Sequence, residues 1–448
     1  MKRNTQNIIL IVLLLVFCLC VFAACSNSKA DYFTYSESNL GVVGKLVKWM
    51  HSWVGNYGWT VVVFTVFLKI LMTPLDIWQR VSSRKSTLRM QRMQPLMAEI
   101  DKRYASNPQR ANEEKQKLYK KEGFSAFSMC LPLIISMVIF FVMFGGLRQY
   151  STYSSVTNFQ NLSGTYYDEY YKQVKADGND KLELTYKKDG VEVTATFHDS
   201  IAGLLEDATG FGENENFLRD NYTEKNVNAF ITAINWLQDS ETVNHLDAQT
   251  CDKYNTAALE AVGEFYKNNH ESWLWINNVW QPDTWAPIMP KYTDRANGFS
   301  SSVNMEQFDK DQGRSHYDAI WGAVVQTGGY GKNGSWNGLM ILPVLSIAMS
   351  FLSMFISQRM ERKNRKGEVV AQNQQQKTTN MMMMIMMPLM MAYFGFIYTG
   401  AFAIYMVVNS TLTILSTILM RYPVEKMVMK RLNKDEQKNK SGQASYMR

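Results

Sequence analysis

Five stretches of this chain are each close to the roughly 20 apolar residues that a helix needs to cross a bilayer. They are Gly58 to Ile77, Phe127 to Leu147, Leu339 to Ile356, Met381 to Ile397 and Ala401 to Met420. A helix satisfies its own backbone hydrogen bonds in hydrocarbon, so the pattern predicts an all-α polytopic membrane protein with five core transmembrane helices. Averaged over the chain the hydropathy looks ordinary, because the long polar segment Arg148 to Trp336 dilutes it.

Charge orients these spans. Gln79 to Gly123 holds 12 Lys/Arg against 5 Asp/Glu, whereas Arg148 to Trp336 holds 15 against 27. The first segment is therefore expected in the cytoplasm and the second outside. Gln358 to Asn380, with 6 basic and 2 acidic residues, and Arg421 to Arg448, with 8 and 3, also read as cytoplasmic. Five spans from an outside start give this alternation without a forced step.

Lys69 sits near the middle of the first apolar run. A charge at bilayer depth costs about 3 kcal/mol on insertion scales, so it is retained mainly where it faces water, a partner or a substrate. A polar pocket within the membrane is the expectation, with a lysine that snorkels to an interface as the competing reading. An ammonium is compact and strongly hydrated, so Lys69 can act as a charge only in a wet setting. Thr65 lies one turn before it on the same face. Ser136, Ser346, Ser350, Ser353, Asn409 and Thr413 are the polar candidates from other spans to line the same groove. Ordinary helix-to-helix hydrogen bonding is the alternative role for each of them.

At the N-terminus, Lys2 and Arg3 precede an apolar run from Ile8 to Phe22, then Ala23-Ala24-Cys25 and a polar break. That order reads as an export signal, with an uncleaved anchor helix as the alternative. It resembles the bacterial lipoprotein signal, which implies lipidation of Cys25. The remaining cysteines offer no intramolecular disulfide framework: Cys18 and Cys20 lie in the signal, Cys130 lies in the second span, and only Cys251 remains outside.

From His51 the chain runs His-Ser-Trp-Val-Gly-Asn-Tyr-Gly-Trp, followed by Thr65, Lys69 and Pro74-Leu75. Further on come Gln94-Pro95, Asn107-Pro108-Gln109-Arg110, Leu118-Tyr119-Lys120, Cys130-Leu131-Pro132-Leu133, Trp273-Leu274-Trp275-Ile276, Gln281-Pro282-Asp283, Leu342-Pro343, Met386-Met387-Pro388-Leu389 and Ala403-Ile404-Tyr405. In order and spacing these motifs resemble the YidC/Oxa/Alb family of membrane protein insertases, with Lys69 where that family usually carries Arg. The resemblance implies a chaperone that inserts integral membrane proteins through a hydrophilic groove open to cytoplasm and lipid. It further implies action alone or beside the Sec translocon, on nascent membrane proteins, without a cofactor and without covalent catalysis. Targeting factors, the ribosome and membrane lipids are the further partners it suggests, with no nucleic acid beyond ribosomal RNA. A secondary transporter of an anionic solute is the rival reading, since five spans and one intramembrane cation would also suit it.

The expected organisation runs from a signal peptide (1–24), through an external segment with an interfacial helix (25–56), to the first span (57–78). A cytoplasmic helical hairpin (79–125), the second span (126–147) and an enlarged α+β external insertion (148–336) follow. The third span (337–357), a cytoplasmic loop (358–380), two further spans (381–420) and a basic cytoplasmic tail (421–448) complete the chain. Within the hairpin, Asn107 is placed to cap a helix opening at Pro108 and Gly123 to end it. Leu182 to Phe197 alternates around Lys188-Asp189-Gly190, a β-hairpin signal. Thr223 to Leu237 and Asn255 to Tyr266 have helical spacing. Trp236, Trp273, Trp275, Trp280 and Trp285 read as either a core or a membrane-surface set. The Met-rich run Met381 to Met391 suits a surface that accepts varied apolar partners or simply faces lipid. Lysines in the tail suit anionic lipid or ribosomal RNA, although cytoplasmic orientation alone accounts for many of them.

Overall fold

The computed structural model describes residues 30–121, 127–294, 303–362, 389 and 393–446. Cys25, Gly123 and most of the Met-rich run lie outside the described residues, as does the side chain of Ser136.

The described chain is mostly helical. A short strand β1 (Ala30–Asp31) leads to α1 (Val42–Val54), α2 (Tyr57–Arg103), α3 (Pro108–Lys121) and α4 (Phe127–Ala176). Strands β2 (Glu183–Lys188) and β3 (Val191–Thr196) follow, then α5 (Phe197–Ala202), α6 (Phe217–Asp220), α7 (Glu224–Gln238) and α8 (Ala248–Asn269). Strand β4 (Val303–Asn304) and helices α9 (Glu306–Asp311), α10 (Gly313–Thr327), α11 (Ile341–Arg362) and α12 (Gly400–Tyr446) complete the series. Two stretches, Tyr57–Ser82 and Gly400–Lys430, are long and apolar enough to cross a membrane, and Ile341–Ser357 is a shorter apolar helix.

Two compact units divide these elements. The first comprises Met1–Trp59, Gly145–Ile341 and Tyr398–Ala401, and its described part has a conventional aromatic core. Tyr32, Phe159, Tyr170, Phe197, Phe230, Tyr254, Phe308 and Tyr317 are all nearly fully buried there. Phe159 stacks on Tyr317 with centroids 4.9 Å apart, and Tyr32 meets Phe33 and Phe308 edge-on, the arrangements aromatic quadrupoles favour. Asp168 is also buried and accepts the backbone N–H groups of Leu218 at 2.7 Å and Arg219 at 3.0 Å. Burial nevertheless pushes its carboxyl up to about 7. Glu271, held by the Ser154 hydroxyl, is pushed up to about 8 for the same reason.

Local chemistry explains the small sheets. β2 and β3 pair antiparallel with Lys188 opposite Val191, so Asp189 and Gly190 form a two-residue turn. Both have positive φ, 52° and 79°, as a type I′ turn requires and as Asp-Gly tolerates. β1 and β4 form a second, parallel pair with Ala30 opposite Val303.

The 279–283 segment joins the starts of two helices, and so gives a structural role to the Gln281-Pro282-Asp283 motif. A helix leaves its first N–H groups without intrahelical partners. Asp283 Oδ1 accepts Leu339 and Met340 N–H just before α11, while the Gln281 and Val279 carbonyls accept Gly400 and Ala401 N–H at the start of α12. Gly338 must be glycine, because a Cβ there would fall 2.0 Å from Asp283 Oδ1. Trp275 donates to the other carboxylate oxygen at 3.1 Å. The tryptophans thus divide: Trp280 is buried, Trp236 stacks on Tyr186, and Trp285 stays exposed.

The second unit comprises Thr60–Phe144, Leu342–Ile397 and Phe402–Arg448. Helix α2 continues without interruption beyond the predicted span to Arg103, so the first arm of the expected hairpin is an extension of the span helix rather than a separate element. The second arm is α3, whose start is capped as predicted: Asn107 Oδ1 accepts the Arg110 N–H at 3.1 Å. α4 likewise runs on past Leu147 to Ala176, where a break is expected from composition.

Candidate functional site

Lys69 lies on a screened face of α2, with Thr65 buried one turn before it, while the residues that follow it and point elsewhere are exposed and apolar. Its side chain is 19% exposed, whereas the adjacent Ile70 and Leu71 are 68% and 58% exposed. Such a reversal of ordinary burial preferences suits a helix whose outer surface is hydrocarbon rather than water. Phe67 on the same helix, and Leu415, Ile418 and Leu419 on α12, continue the exposed apolar surface.

Two groups meet the Lys69 ammonium. Asp76 Oδ2 lies 2.8 Å away, and Thr413 Oγ1 on α12 accepts a hydrogen bond at 3.2 Å. Lys69 and Asp76 are seven residues apart, nearly two full turns, and therefore share one face of α2. Pro74 lies between them; it has no N–H to donate to the Ile70 carbonyl, while Thr73 Oγ1 adds a hydrogen bond to the Lys69 carbonyl at 2.7 Å.

One turn beyond Asp76, Arg80 donates to Thr417 Oγ1 at 2.9 Å and to Ser416 Oγ at 3.1 Å. The hydroxyls of α12 have fixed roles in these contacts. Thr413 donates to the Asn409 carbonyl, and Ser416 and Thr417 both donate to the Thr413 carbonyl. Each hydroxyl has one proton, so all three face the cations as acceptors. Past Arg80 the helices close through Val81, Val424 and Val428, which are buried together.

Of the predicted site residues, Lys69 and Thr413 are in direct contact, and Asn409 contributes its carbonyl one turn from them. Thr65 is buried and donates to Val61 O at 2.6 Å, so its proton stays within its own helix. Ser346 is fully buried, donates to Pro343 O, and lies against Gly395, where a Cβ would approach its Oγ to 3.3 Å. Ser350 meets Ser410 across a 3.4 Å hydroxyl pair, and Ser353 is partly exposed. The structure thus brings Lys69, Asn409 and Thr413 together and leaves the serines of α11 in separate packing contacts. Asp76, Arg80, Ser416 and Thr417 are site residues that the sequence reading missed. The seven-residue step from Lys69 to Asp76 and the four-residue step from Asp76 to Arg80 were the signals available. Among the described residues, no cluster of His, Cys, Asp and Glu is suited to hold a metal ion.

A family model described as "60Kd inner membrane protein" matches residues 49–186 and 256–427, more than half of the chain. A protein named "Membrane protein insertase YidC" from Caldanaerobacter subterraneus subsp. tengcongensis is 36% identical over 129 residues, 29% of this chain and 61% of its own length. Proteins of the same name from Stenotrophomonas maltophilia strain K279a and from Treponema denticola are 36% and 31% identical over 118 and 128 residues. Those matches cover 25% and 28% of this chain, and 20% and 21% of the relatives. The aligned part therefore spans less than two thirds of each of these relatives.

Proposed function

The chain belongs to the 60Kd inner membrane protein family, the YidC/Oxa/Alb group, and from that premise we propose that it inserts integral membrane proteins into the bacterial plasma membrane. The observation that carries this reading is the Lys69 site: a largely screened cation, held by the Asp76 carboxylate and the Thr413 hydroxyl, on a helix whose neighbouring face exposes hydrocarbon. Inserting a membrane protein requires no bond chemistry. It requires that a polar segment cross a hydrocarbon layer about 30 Å thick at a tolerable cost. A wet recess reaching partway into the layer shortens that barrier, and a fixed ammonium within it attracts the carboxylates of an incoming tail. The four-residue ladder of Thr413 and Thr417, facing Lys69 and Arg80, supplies the polar wall that keeps both cations hydrated.

In this reading five helices span the membrane, the insertion after residue 147 lies outside, and the basic tail lies in the cytoplasm. Cys25 carries a lipid anchor. Nascent membrane proteins are the clients, with the Sec translocon, targeting factors and the ribosome as partners in delivery. The groove centres on Lys69, Asn409 and Thr413, with Asp76 and Arg80 beside them, while Thr65, Ser346 and Ser350 serve the packing of the helices around it.

Purified protein reconstituted in liposomes tests the proposal. A small membrane protein with an acidic N-terminal tail is expected to become protease-protected in these liposomes and not in empty ones. Uptake of an anionic solute without such protection would instead favour a transporter.

A further inference from the structure

The Lys69 ammonium already holds a carboxylate belonging to the protein itself. Asp76 Oδ2 sits 2.8 Å from Nζ, and both side chains are largely screened, at 19% and 25% exposure. An ammonium has three N–H donors. Asp76 and Thr413 take two of them. Because Thr413, Ser416 and Thr417 turn their protons toward their own backbone, an anion arriving here finds its donors on Lys69 and Arg80 rather than on these hydroxyls.

We propose that Asp76 sets the client specificity of the Lys69 site, acting as a built-in carboxylate that an acidic client segment must displace. This inference rests on the insertase reading. A tethered carboxylate competes at high effective concentration, because it cannot diffuse away. The ammonium has a third donor, but two carboxylates beside it repel, so exchange is favoured over sharing. A tail with one acidic residue therefore replaces one carboxylate contact with another and gains little. A tail with several acidic residues displaces Asp76 and also reaches Arg80, one turn further along α2, which makes its engagement multivalent. Asp76 thus works as a threshold that favours tails of higher acidic count over weakly charged ones. The seven-residue spacing is what makes exchange feasible: the pair joins side chains whose backbones are about 10 Å apart along the helix axis, so either can swing away without unwinding the helix.

The test uses the full-length protein in liposomes with three versions of one single-span client, carrying zero, one or three acidic residues in the translocated tail. The readout is the protease-protected yield of each acidic client divided by that of the neutral one within the same preparation, so differences in folded fraction cancel. Asp76→Asn is expected to raise the one-acid ratio about fivefold, the upper range for a partly exposed ion pair, and to change the three-acid ratio less. Asp76→Ser should do the same, and Asp76→Glu should keep the wild-type ratios. In a Lys69→Ala background, Asp76→Asn should have no effect on the ratio, because the pair no longer exists. An unchanged or lowered one-acid ratio in both neutral variants would overturn the proposal, as would an increase that persists without Lys69. Failure of the wild type to insert any of the three clients would remove the insertase reading itself. Normal wild-type insertion with unaltered ratios in the variants would remove only the role of Asp76.

Discussion

The two units solve the burial problem in opposite ways. In the first, aromatic rings such as Phe159, Phe230 and Tyr254 are hidden and charges such as Glu213 and Lys188 lie outside, the arrangement that water enforces. In the second, Ile70, Leu71 and Leu419 are outside, while Lys69, Asp76 and Thr413 meet beneath them. The same twenty side chains thus report two solvents within one chain. The inverted unit is the one in which a cation has to be explained by function, since packing alone gives no reason to retain it.

From that contrast, the largest stability loss should come from the conventional core. Phe230→Ala is expected to destabilise the first unit by about 3–5 kcal/mol, read as faster amide exchange along α7 and its neighbours. Leu419→Ala, which truncates an exposed side chain, should leave amide exchange in the second unit nearly unchanged; a loss comparable to that at Phe230 would break the comparison.

Ionisation sharpens the contrast from another direction. Asp168 and Glu271 have folded-state values of about 7 and about 8, above the ordinary carboxylate range, so the folded first unit holds more protons than the unfolded chain in between. Its stability should therefore fall as pH rises from 6.5 to 8, by on the order of 1–2 kcal/mol. His316, lowered to about 3 by burial, acts in the opposite sense, but its contribution is largely complete by pH 6.5. Amide exchange corrected for intrinsic rate, compared across this range, gives the measurement. Asp168→Asn should flatten the dependence below about pH 7.

The functional member of the set is smaller in free energy. Lys69→Ala is expected to lower insertion of acidic-tailed clients about tenfold and to leave neutral-tailed clients near wild type, whereas Lys69→Arg retains activity. Smallest of all, Gly190→Ala should cost about 1 kcal/mol through its positive φ and loosen only the β2–β3 hairpin, without altering insertion.

What could be read in the sequence follows the range of the interactions involved. The Asp189-Gly190 turn and the Asn107 cap are legible because each depends on residues within a few positions of one another. The apolar runs that begin α2 and α12 are legible because a bilayer imposes a length. The continuation of α4 past Leu147 was hidden, since Tyr150, Phe159 and Tyr170 look like loop aromatics until the core that buries them is assembled. α8 begins seven residues before its predicted start, where Asp247 accepts the Thr250 N–H; that Asp-x-x-Thr cap was visible and went unused. At the site, Lys69 announced itself by polarity alone, but Asp76 and Arg80 did not, because residues next to the basic segment read as its solvated edge. Their roles depend on which face of α2 meets α12, which no local pattern states.

The central claim is that the Lys69 face is wet while its neighbours face lipid. Single cysteines at positions 69, 70 and 71, in a variant lacking Cys130 and Cys251 but keeping Cys25, can be treated in membranes with a water-soluble maleimide. Reaction at 69 with protection at 70 and 71 is the predicted result. Protection at 69 together with reaction at 70 and 71 would contradict it.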